Sequence, residues 1–173
     1  MFDAAVERFG RVHILVNNAG IILYKRLDQT TDDEFDWLFA VNVKGVFNAL
    51  REASQRLEDG GRIINFSSST TRLMLPTYAS YCATKAAVEQ LTRIFAKEVG
   101  QRGITVNVVS PGPTNTELFT EGNSEADIQR LAAMAALGRI GQPEDIANLV
   151  LFLASDEAGW ISAQNIGANG GLA

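Results

Sequence analysis

Features that define disulfide-linked, metal-binding and membrane proteins are scarce in this sequence. It contains one cysteine, Cys82, and one histidine, His13, so an intrachain disulfide cannot form and a Cys/His metal site is not expected. No apolar run approaches the roughly 20 residues that a membrane-spanning helix needs. The opening segment, MFDAAVERFG, carries acidic residues and lacks the apolar region of a signal peptide, which predicts a cytoplasmic protein.

The net charge of the chain is also small. The formal net charge is -5 and the basic residues form no cluster, which argues against nucleic acid or an anionic membrane as the main partner. Apolar residues make up 46% of the chain and charged residues 20%, as is typical of a globular domain. Because no linker, repeat or low-complexity segment interrupts the chain, residues 1–173 are predicted to form a single domain.

Predicted helices and strands alternate along the chain. The short apolar run Val12–Val16 is typical of a buried parallel strand, and TDDE at Thr31–Glu34 is a capping box that begins a long helical pattern. This alternation predicts a parallel sheet with right-handed crossovers and helices on both faces. The predicted strands lie within residues 12–16, 60–69, 103–113 and 163–171, and the main helices lie near residues 2–10, 31–50, 78–99 and 143–153.

Short polar loops follow three of the predicted strands. They are NNAG (Asn17–Gly20), SSST (Ser67–Thr70) and SPGPTNT (Ser110–Thr116). In open parallel sheets, ligands bind outside the carboxyl ends of the strands. Loops that only connect elements need no such enrichment in Asn, Ser, Gly and Pro, so we expect a ligand site at this edge.

The segment YCATK places Tyr81 and Lys85 four residues apart, on one face of a predicted helix. A nearby ammonium favours the tyrosinate and lowers the phenol pKa from about 10, so that the phenol exchanges a proton with a carbonyl or an alcohol oxygen. Taken alone, such a pair more often belongs to an ordinary helix surface. A catalytic interpretation of Tyr81 and Lys85 therefore depends on the neighbouring motifs.

Several motifs, in sequence order, resemble those of the short-chain dehydrogenase/reductase family over almost the whole chain. The resemblance implies an α/β fold with a partial Rossmann-like, doubly wound parallel sheet. It also implies an NAD(P)-dependent oxidoreductase that reduces a ketone or 3-oxoacyl carbonyl, or oxidises the alcohol, by hydride transfer. The motifs are LVNNAG (Leu15–Gly20), VNVKG (Val41–Gly45), GRIINFSSS (Gly61–Ser69), YCATK (Tyr81–Lys85), SPGPTNTE (Ser110–Glu117) and NIGANGG (Asn165–Gly171).

Four residues match the family's catalytic positions. Tyr81 matches the acid/base, and Lys85 matches the lysine that lowers the pKa of that tyrosine. Ser68 matches the serine that orients and polarises the substrate carbonyl, and Asn42 matches the asparagine that holds a water in a proton relay. The serines on either side of Ser68 stay open as alternatives to it.

The same resemblance implies contacts with a dinucleotide, NAD or NADP. Asn18, Ala19 and Gly20 match the stretch along the adenosine ribose. Tyr81 and Lys85 match residues at the nicotinamide ribose. The loop on the nicotinamide and pyrophosphate side corresponds to Pro111, Gly112, Thr114 and Thr116.

The family's glycine-rich turn has no counterpart here. Gly10 is the only glycine before Gly20, so no G-x-x-x-G-x-G precedes the first motif. We therefore interpret the chain as an N-terminally truncated member in which dinucleotide binding, and the choice between NAD and NADP, stay open. The strand Val12–Val16 would then lack one neighbour, and an open apolar edge favours pairing with another chain, so we expect a homo-oligomer, a dimer or tetramer.

Two other functions remain to be weighed. One is a catalytically silent remnant that binds no dinucleotide and acts only through self-association. The other is a hydrolase that uses Ser68 and Lys85, which is disfavoured because no G-x-S-x-G turn is present and Tyr81 would have no task.

Two single residues and one segment have interpretations outside the catalytic motifs. Cys82 is predicted to pack rather than to react, because no histidine accompanies it, and His13 is predicted to be structural. The segment Glu117–Arg139, rich in Ala and Met, matches the family's substrate loop and is expected to be mobile. Its small and apolar residues predict an apolar substrate body.

Overall fold

Four parallel strands form one sheet, in the order β1-β2-β3-β4, in a computed structural model that describes residues 1–173. Neighbouring strands pair in register, with Leu15 opposite Ile63 and Ile63 opposite Val106. The prediction of a single α/β domain with a parallel sheet is confirmed. The strands are β1 (Val12–Asn17), β2 (Leu57–Phe66), β3 (Thr105–Pro111) and β4 (Asn165–Ala168).

Helices separate the strands along the chain. The predicted capping box is present, because the Glu34 amide donates to Thr31 Oγ1 at 3.3 Å and the Thr31 amide donates to Glu34 Oε2 at 2.9 Å. The helices are α1 (Phe2–Phe9), α2 (Asp32–Phe39), α3 (Gly45–Arg56), α4 (Ala79–Val99), α5 (Glu117–Thr120), α6 (Glu125–Met134) and α7 (Pro143–Ala154). No helix of the chain combines the length and the apolar character that crossing a membrane would take.

Two apolar cores lie on opposite faces of the sheet. Successive strand residues point to opposite faces, so Ile63 and Ile64 of β2 belong to different cores. Each of these fully buried side chains contributes about 1.5–3 kcal/mol to folding. The core on the face of Ile63 includes Phe2, Leu50, Val88, Phe95 and Val106, and the core on the face of Ile64 includes Val109, Ile146, Leu153 and Ala158.

β1 is an edge strand of this sheet, as expected from the sequence. It pairs with β2 on one side only. Two of its apolar side chains remain open to solvent, Ile14 at 48% and Val16 at 41% exposure. The edge therefore presents both unpaired backbone groups and apolar surface.

Three local features differ from the expectations. The single long helix expected over residues 31–50 is divided by a π-helical turn, Ala40–Lys44. The residues Gly60 and Gly61, expected as a turn before the strand, lie inside β2, where Gly60 has a φ of 74° and the pairing with β1 is irregular. The segment Glu117–Arg139, for which no helix was predicted, contains α5 and α6, and each of them begins at an acidic residue.

Candidate active site

A cavity of about 1050 Å³ opens at the carboxyl ends of the strands, where the sequence predicts a ligand site. Loops that follow β1, β2 and β3 form much of its wall, together with the first turns of α4. All but one of the predicted site residues line this cavity, and the exception is Asn42. The lining residues among them are Asn18, Ala19, Gly20, Ser68, Tyr81, Lys85, Pro111, Gly112, Thr114 and Thr116.

α4 places Tyr81 and Lys85 side by side. The two residues stand one helical turn apart, and the Lys85 Nζ lies 5.6 Å from the centre of the Tyr81 ring. The Lys85 side chain is buried and donates a hydrogen bond to the Phe66 carbonyl, at the end of β2, at 3.1 Å. Packing of α4 against the sheet therefore fixes the ammonium between the phenol and the strand end.

Burial controls the ionisation of this pair. It raises the pKa of Tyr81 to about 12, and a side-chain hydrogen bond with Ser68 acts in the opposite, lowering direction. Burial also lowers the pKa of Lys85 to about 8. Lys85 is not among the groups that shift the Tyr81 pKa in this arrangement, so its expected lowering effect stays a prediction. The loss of solvation outweighs the lowering by Ser68, so the phenol stays protonated at neutral pH.

Ser68 lines the same cavity as Tyr81, and its hydroxyl lies near enough to lower the pKa of the phenol. It accepts hydrogen bonds from the Thr70 amide at 3.2 Å and from Thr70 Oγ1 at 2.9 Å. Both bonds use the oxygen as an acceptor, so the Ser68 proton is free to be donated.

The flanking hydroxyls are engaged elsewhere. Ser67 Oγ donates to Glu89 Oε1 at 2.7 Å, and Ser69 Oγ donates to the Ser110 carbonyl at 3.1 Å. Both residues are almost fully buried. Among the three serines, the hydrogen bonding thus favours Ser68 as the one that meets a substrate.

Glu89 is a residue of the site that the sequence reasoning missed. Its Oε1 accepts from Ser67 Oγ at 2.7 Å and from Thr71 Oγ1 at 2.9 Å. These donors stand on the two sides of Ser68, so one carboxylate fixes both flanks of the serine loop. Glu89 follows Lys85 by one helical turn, and this spacing was the signal in the sequence that it shares the face of α4 that carries the pair.

Asn42 stands behind the cavity wall, in the π-helical turn, and is buried. Its side chain pairs with Ile21, accepting from the Ile21 amide and donating to the Ile21 carbonyl, both at 2.9 Å. The same amide group donates to Thr84 Oγ1 at 3.1 Å. Asn42 thereby ties the loop after β1 to α4. Irregular turns of this type are frequent at functional sites.

Two glycines of the predicted site pack closely against their neighbours. A Cβ on Gly20 would lie 3.3 Å from both Lys85 Nζ and Asn42 Oδ1. A Cβ on Gly112 would lie 2.9 Å from Asn169 Cα, a distance that real side chains do not adopt. In the same loop, Thr114 Oγ1 donates to the Gly112 carbonyl at 2.9 Å. The absence of a side chain lets Gly20 pack beside Lys85 and Asn42, and it lets Gly112 pack on Asn169.

The fold and the site together define a class of protein, a Rossmann-like α/β domain with its ligand cavity at the carboxyl ends of parallel strands. The whole chain, residues 1–173, matches the sequence family described as enoyl-(acyl carrier protein) reductase. The chain belongs to the short-chain dehydrogenase/reductase family, as its motifs predict.

Known relatives are longer than this chain. The chain is 48% identical over 175 residues to a short-chain type dehydrogenase/reductase of Picea abies. It is 46% identical over 176 residues to an NADPH-dependent aldehyde reductase-like chloroplastic protein of Arabidopsis thaliana. Each comparison covers 99% of this chain and 65% of the relative, so the chain spans about two thirds of the length of these proteins.

A solved structure has the same fold. It is an angucycline C-6 ketoreductase, LanV, with bound NADP, and it matches with a TM-score of 0.91 at 38% sequence identity. The match covers 98% of this chain and 66% of that protein.

Proposed function

We propose that this chain carries the catalytic centre of an NAD(P)-dependent oxidoreductase that reduces a ketone or aldehyde carbonyl, including 3-oxoacyl groups, to the alcohol. The observation that carries the proposal is the convergence of Tyr81, Lys85 and Ser68 in one cavity at the strand ends. Relatives named for NADPH-dependent aldehyde reduction and for ketoreduction support the reaction class.

Residues of this chain fit one end of a nicotinamide dinucleotide. Gly20 leaves the Lys85 ammonium uncovered, because any side chain there would lie against Nζ. Lys85 and Tyr81 would then hold the nicotinamide ribose. The residues that would contact the adenosine ribose are Asn18, Ala19 and Gly20, and those on the nicotinamide and pyrophosphate side are Pro111, Gly112, Thr114 and Thr116.

The chemistry assigned to the side chains follows from their ionisation. When bound, the nicotinamide supplies the hydride. Tyr81, protonated at neutral pH with a pKa of about 12, donates its O–H to the carbonyl oxygen and gives up the proton as the alcohol forms. The Ser68 hydroxyl donates a second hydrogen bond to the same oxygen, where negative charge develops. The Lys85 ammonium offsets the charge left on the Tyr81 oxygen.

Asn42 is proposed to support the proton relay by position. Its side chain joins Ile21 to Thr84, and Thr84 Oγ1 donates to the Tyr81 carbonyl at 2.7 Å. This chain of bonds links the loop after β1 to the helix turn that carries the phenol. A water held beside Lys85, as in the family, would complete the relay.

A cofactor titration tests the proposal. NADPH and NADH are added separately to the 173-residue chain while binding is followed by the fluorescence of the reduced nicotinamide. The reduction of an aldehyde and of a 3-oxoacyl thioester is then followed by loss of the reduced cofactor. Binding of either cofactor together with turnover supports the reductase. A chain that binds neither cofactor would instead be the silent, self-associating remnant.

The self-associating alternative has one structural observation in its favour, the open edge of β1. We propose that the chain forms a homo-oligomer through apolar surface of this kind, because unpaired strand edges pair with other chains. Cytoplasmic location stays a prediction from the sequence, and one relative is named as chloroplastic.

The hydrolase alternative loses support from the hydrogen bonds. Lys85 Nζ donates to the Phe66 carbonyl, whereas Ser68 Oγ accepts from the amide and the hydroxyl of Thr70. A serine nucleophile needs its base within hydrogen-bond reach, and this pair lacks that contact. We expect no ester hydrolysis above the rate of buffer.

A further inference from the structure

The cavity wall is almost free of charge. Lys85 is the only residue with a basic or acidic side chain among the 33 that line the cavity. Its ammonium donates to the Phe66 carbonyl beside Tyr81 and, in the proposed reductase, would also hold the nicotinamide ribose. Apart from Lys85 and the strand-end loops that would hold the dinucleotide, the lining side chains are uncharged. A carboxylate on the substrate body would lose its water there without gaining an ionic partner, which is costly. The wall therefore selects an uncharged substrate body.

Three tyrosine rings lie in a row along this wall. The rings of Tyr24 and Tyr78 are 5.2 Å apart between centroids and nearly perpendicular, at 85°. The rings of Tyr78 and Tyr81 are 6.4 Å apart at 65°. We call Tyr24, Tyr78 and Tyr81 the tyrosine row. Tyr81, the proposed proton donor, is one of the three, so a substrate whose carbonyl meets Tyr81 can place its body against the Tyr24 and Tyr78 rings.

The backbone at Thr77 fixes the position of Tyr78 in the tyrosine row. Thr77, directly before it, has a φ of 73°, in the left-handed region that a β-branched residue rarely adopts. The Thr77 carbonyl accepts from the Lys25 amide at 3.0 Å, which ties the residue after Tyr24 to the residue before Tyr78. Strained backbone persists only where the surroundings over-determine it, and it concentrates at functional sites.

The segment after β3 fixes the row from the side of Tyr24. Asn123 Nδ2 donates to Tyr24 Oη at 3.2 Å. Gly122 packs so closely on the ring that a Cβ there would lie 2.6 Å from Tyr24 Cε2. Leu118 and Phe119 of α5 add apolar wall to the same cavity, as do Leu73 and Leu75.

We propose that the cavity takes an uncharged aromatic ketone or aldehyde, with its ring packed against Tyr24 and Tyr78 and its carbonyl at Ser68 and Tyr81. This inference rests on the proposed reductase function, which it makes more specific. Aromatic pairs in edge-to-face or offset geometry gain binding beyond their buried area, by about 2- to 12-fold per ring contact.

Two ketones of matched size and one charged analogue test the substrate class by binding alone. Acetophenone, cyclohexyl methyl ketone and para-acetylbenzoate are titrated against the chain by ligand-observed NMR. We expect acetophenone to bind about 2- to 12-fold more tightly than its saturated counterpart, and para-acetylbenzoate to bind at least about tenfold more weakly than acetophenone. Equal binding of the carboxylate, or of the cyclohexyl ketone, would overturn the inference, as would no binding by any of the three.

Two variants locate the preference. Tyr78→Leu should bring the ratio between acetophenone and cyclohexyl methyl ketone close to one, and Tyr78→Phe should restore it. If Tyr78→Leu does not fold, Tyr24→Leu and Tyr24→Phe provide the same comparison from the other ring. An unchanged ratio in both leucine variants contradicts the role of the tyrosine row.

Binding and turnover separate the two proposals. If the aromatic preference is present but no ketone is reduced with either cofactor, the reductase function fails and only the preference of the cavity for aromatic ligands stands. If all three ketones are reduced with equal KM, the reductase function stands and the aromatic preference fails.

Discussion

The Lys85 ammonium lies 5.6 Å from the centre of the Tyr81 ring and donates to the Phe66 carbonyl at the end of β2. This relationship makes a charge beside the phenol available when a proton leaves it. Burial nevertheless keeps the phenol protonated, with a pKa of about 12. The site therefore holds the phenol in the proton-donating form that the proposed carbonyl reduction uses.

Replacement of Tyr81 by phenylalanine removes the proposed proton donor and keeps the ring. We expect Tyr81→Phe to lower kcat for carbonyl reduction by about 100- to 10,000-fold, with an unchanged circular dichroism spectrum. Tyr78→Phe is the matched control, since it deletes a hydroxyl from the neighbouring ring, and it should lose less than about tenfold. Retention of full activity in Tyr81→Phe would refute the assigned role.

Replacement of Lys85 by methionine tests the buried charge through stability and pH. Burial lowers the pKa of Lys85 from 10.5 to about 8, so between these values the unfolded chain binds more protons than the folded one. The destabilisation by the lysine is therefore complete below pH 8 and fades as pH rises toward 10.5.

Lys85→Met should accordingly gain stability over the parent at neutral pH, by at most about 3 kcal/mol, and this gain should shrink in alkaline buffer. Lys85→Met also loses the hydrogen bond to the Phe66 carbonyl, and this loss lowers the gain in stability by an amount that does not vary with pH. Urea unfolding of both proteins in neutral and in alkaline buffer measures the difference. The exposed Lys44→Met is the control and should show no such trend. A gap between parent and Lys85→Met that stays constant with pH would contradict this account.

Glu89 is predicted to hold the serine loop through its acceptor oxygen. Glu89→Leu leaves the Ser67 and Thr71 hydroxyls without this acceptor and should cost about 1–3 kcal/mol of unfolding free energy. Glu89→Gln keeps an acceptor oxygen and should cost less than about 1 kcal/mol. Urea unfolding measures both. If the carboxylate positions Ser68, kcat falls more than KM rises in Glu89→Leu, and Glu89→Gln restores kcat. Equal effects of Leu and Gln would argue against this role.

The open edge of β1 predicts where self-association is sensitive to charge. Ile14→Lys places an ammonium on this edge and should shift the chain toward the monomer, because edge lysines oppose strand pairing. Leu27→Lys is the control, since Leu27 is also exposed, at 65%, but lies in a turn away from the strand. Sedimentation velocity of the three proteins gives the mass distribution. Identical distributions for Ile14→Lys and the parent would exclude association through β1.

Much of the fold followed from local pattern. The capping box at Thr31, the apolar run at Val12–Val16 and the alternation of strands and helices are properties of short stretches, and the structure confirms each. The π-helical turn at Ala40–Lys44 escaped prediction because its apolar residues continue the helical pattern. Nothing local signals the extra residue in the turn.

The candidate site divides in the same way. The sequence by itself determined the family and which residues meet at the strand ends, because motif order and the rule that parallel strands align their carboxyl ends are enough for that. Only the tertiary structure revealed the burial that raises the Tyr81 pKa, the hydrogen bonds that engage Ser67 and Ser69, and the pairing of Tyr24 with Tyr78. Each of these depends on how much water is excluded and on which distant side chain arrives as a partner, and both are set by the packing of whole elements.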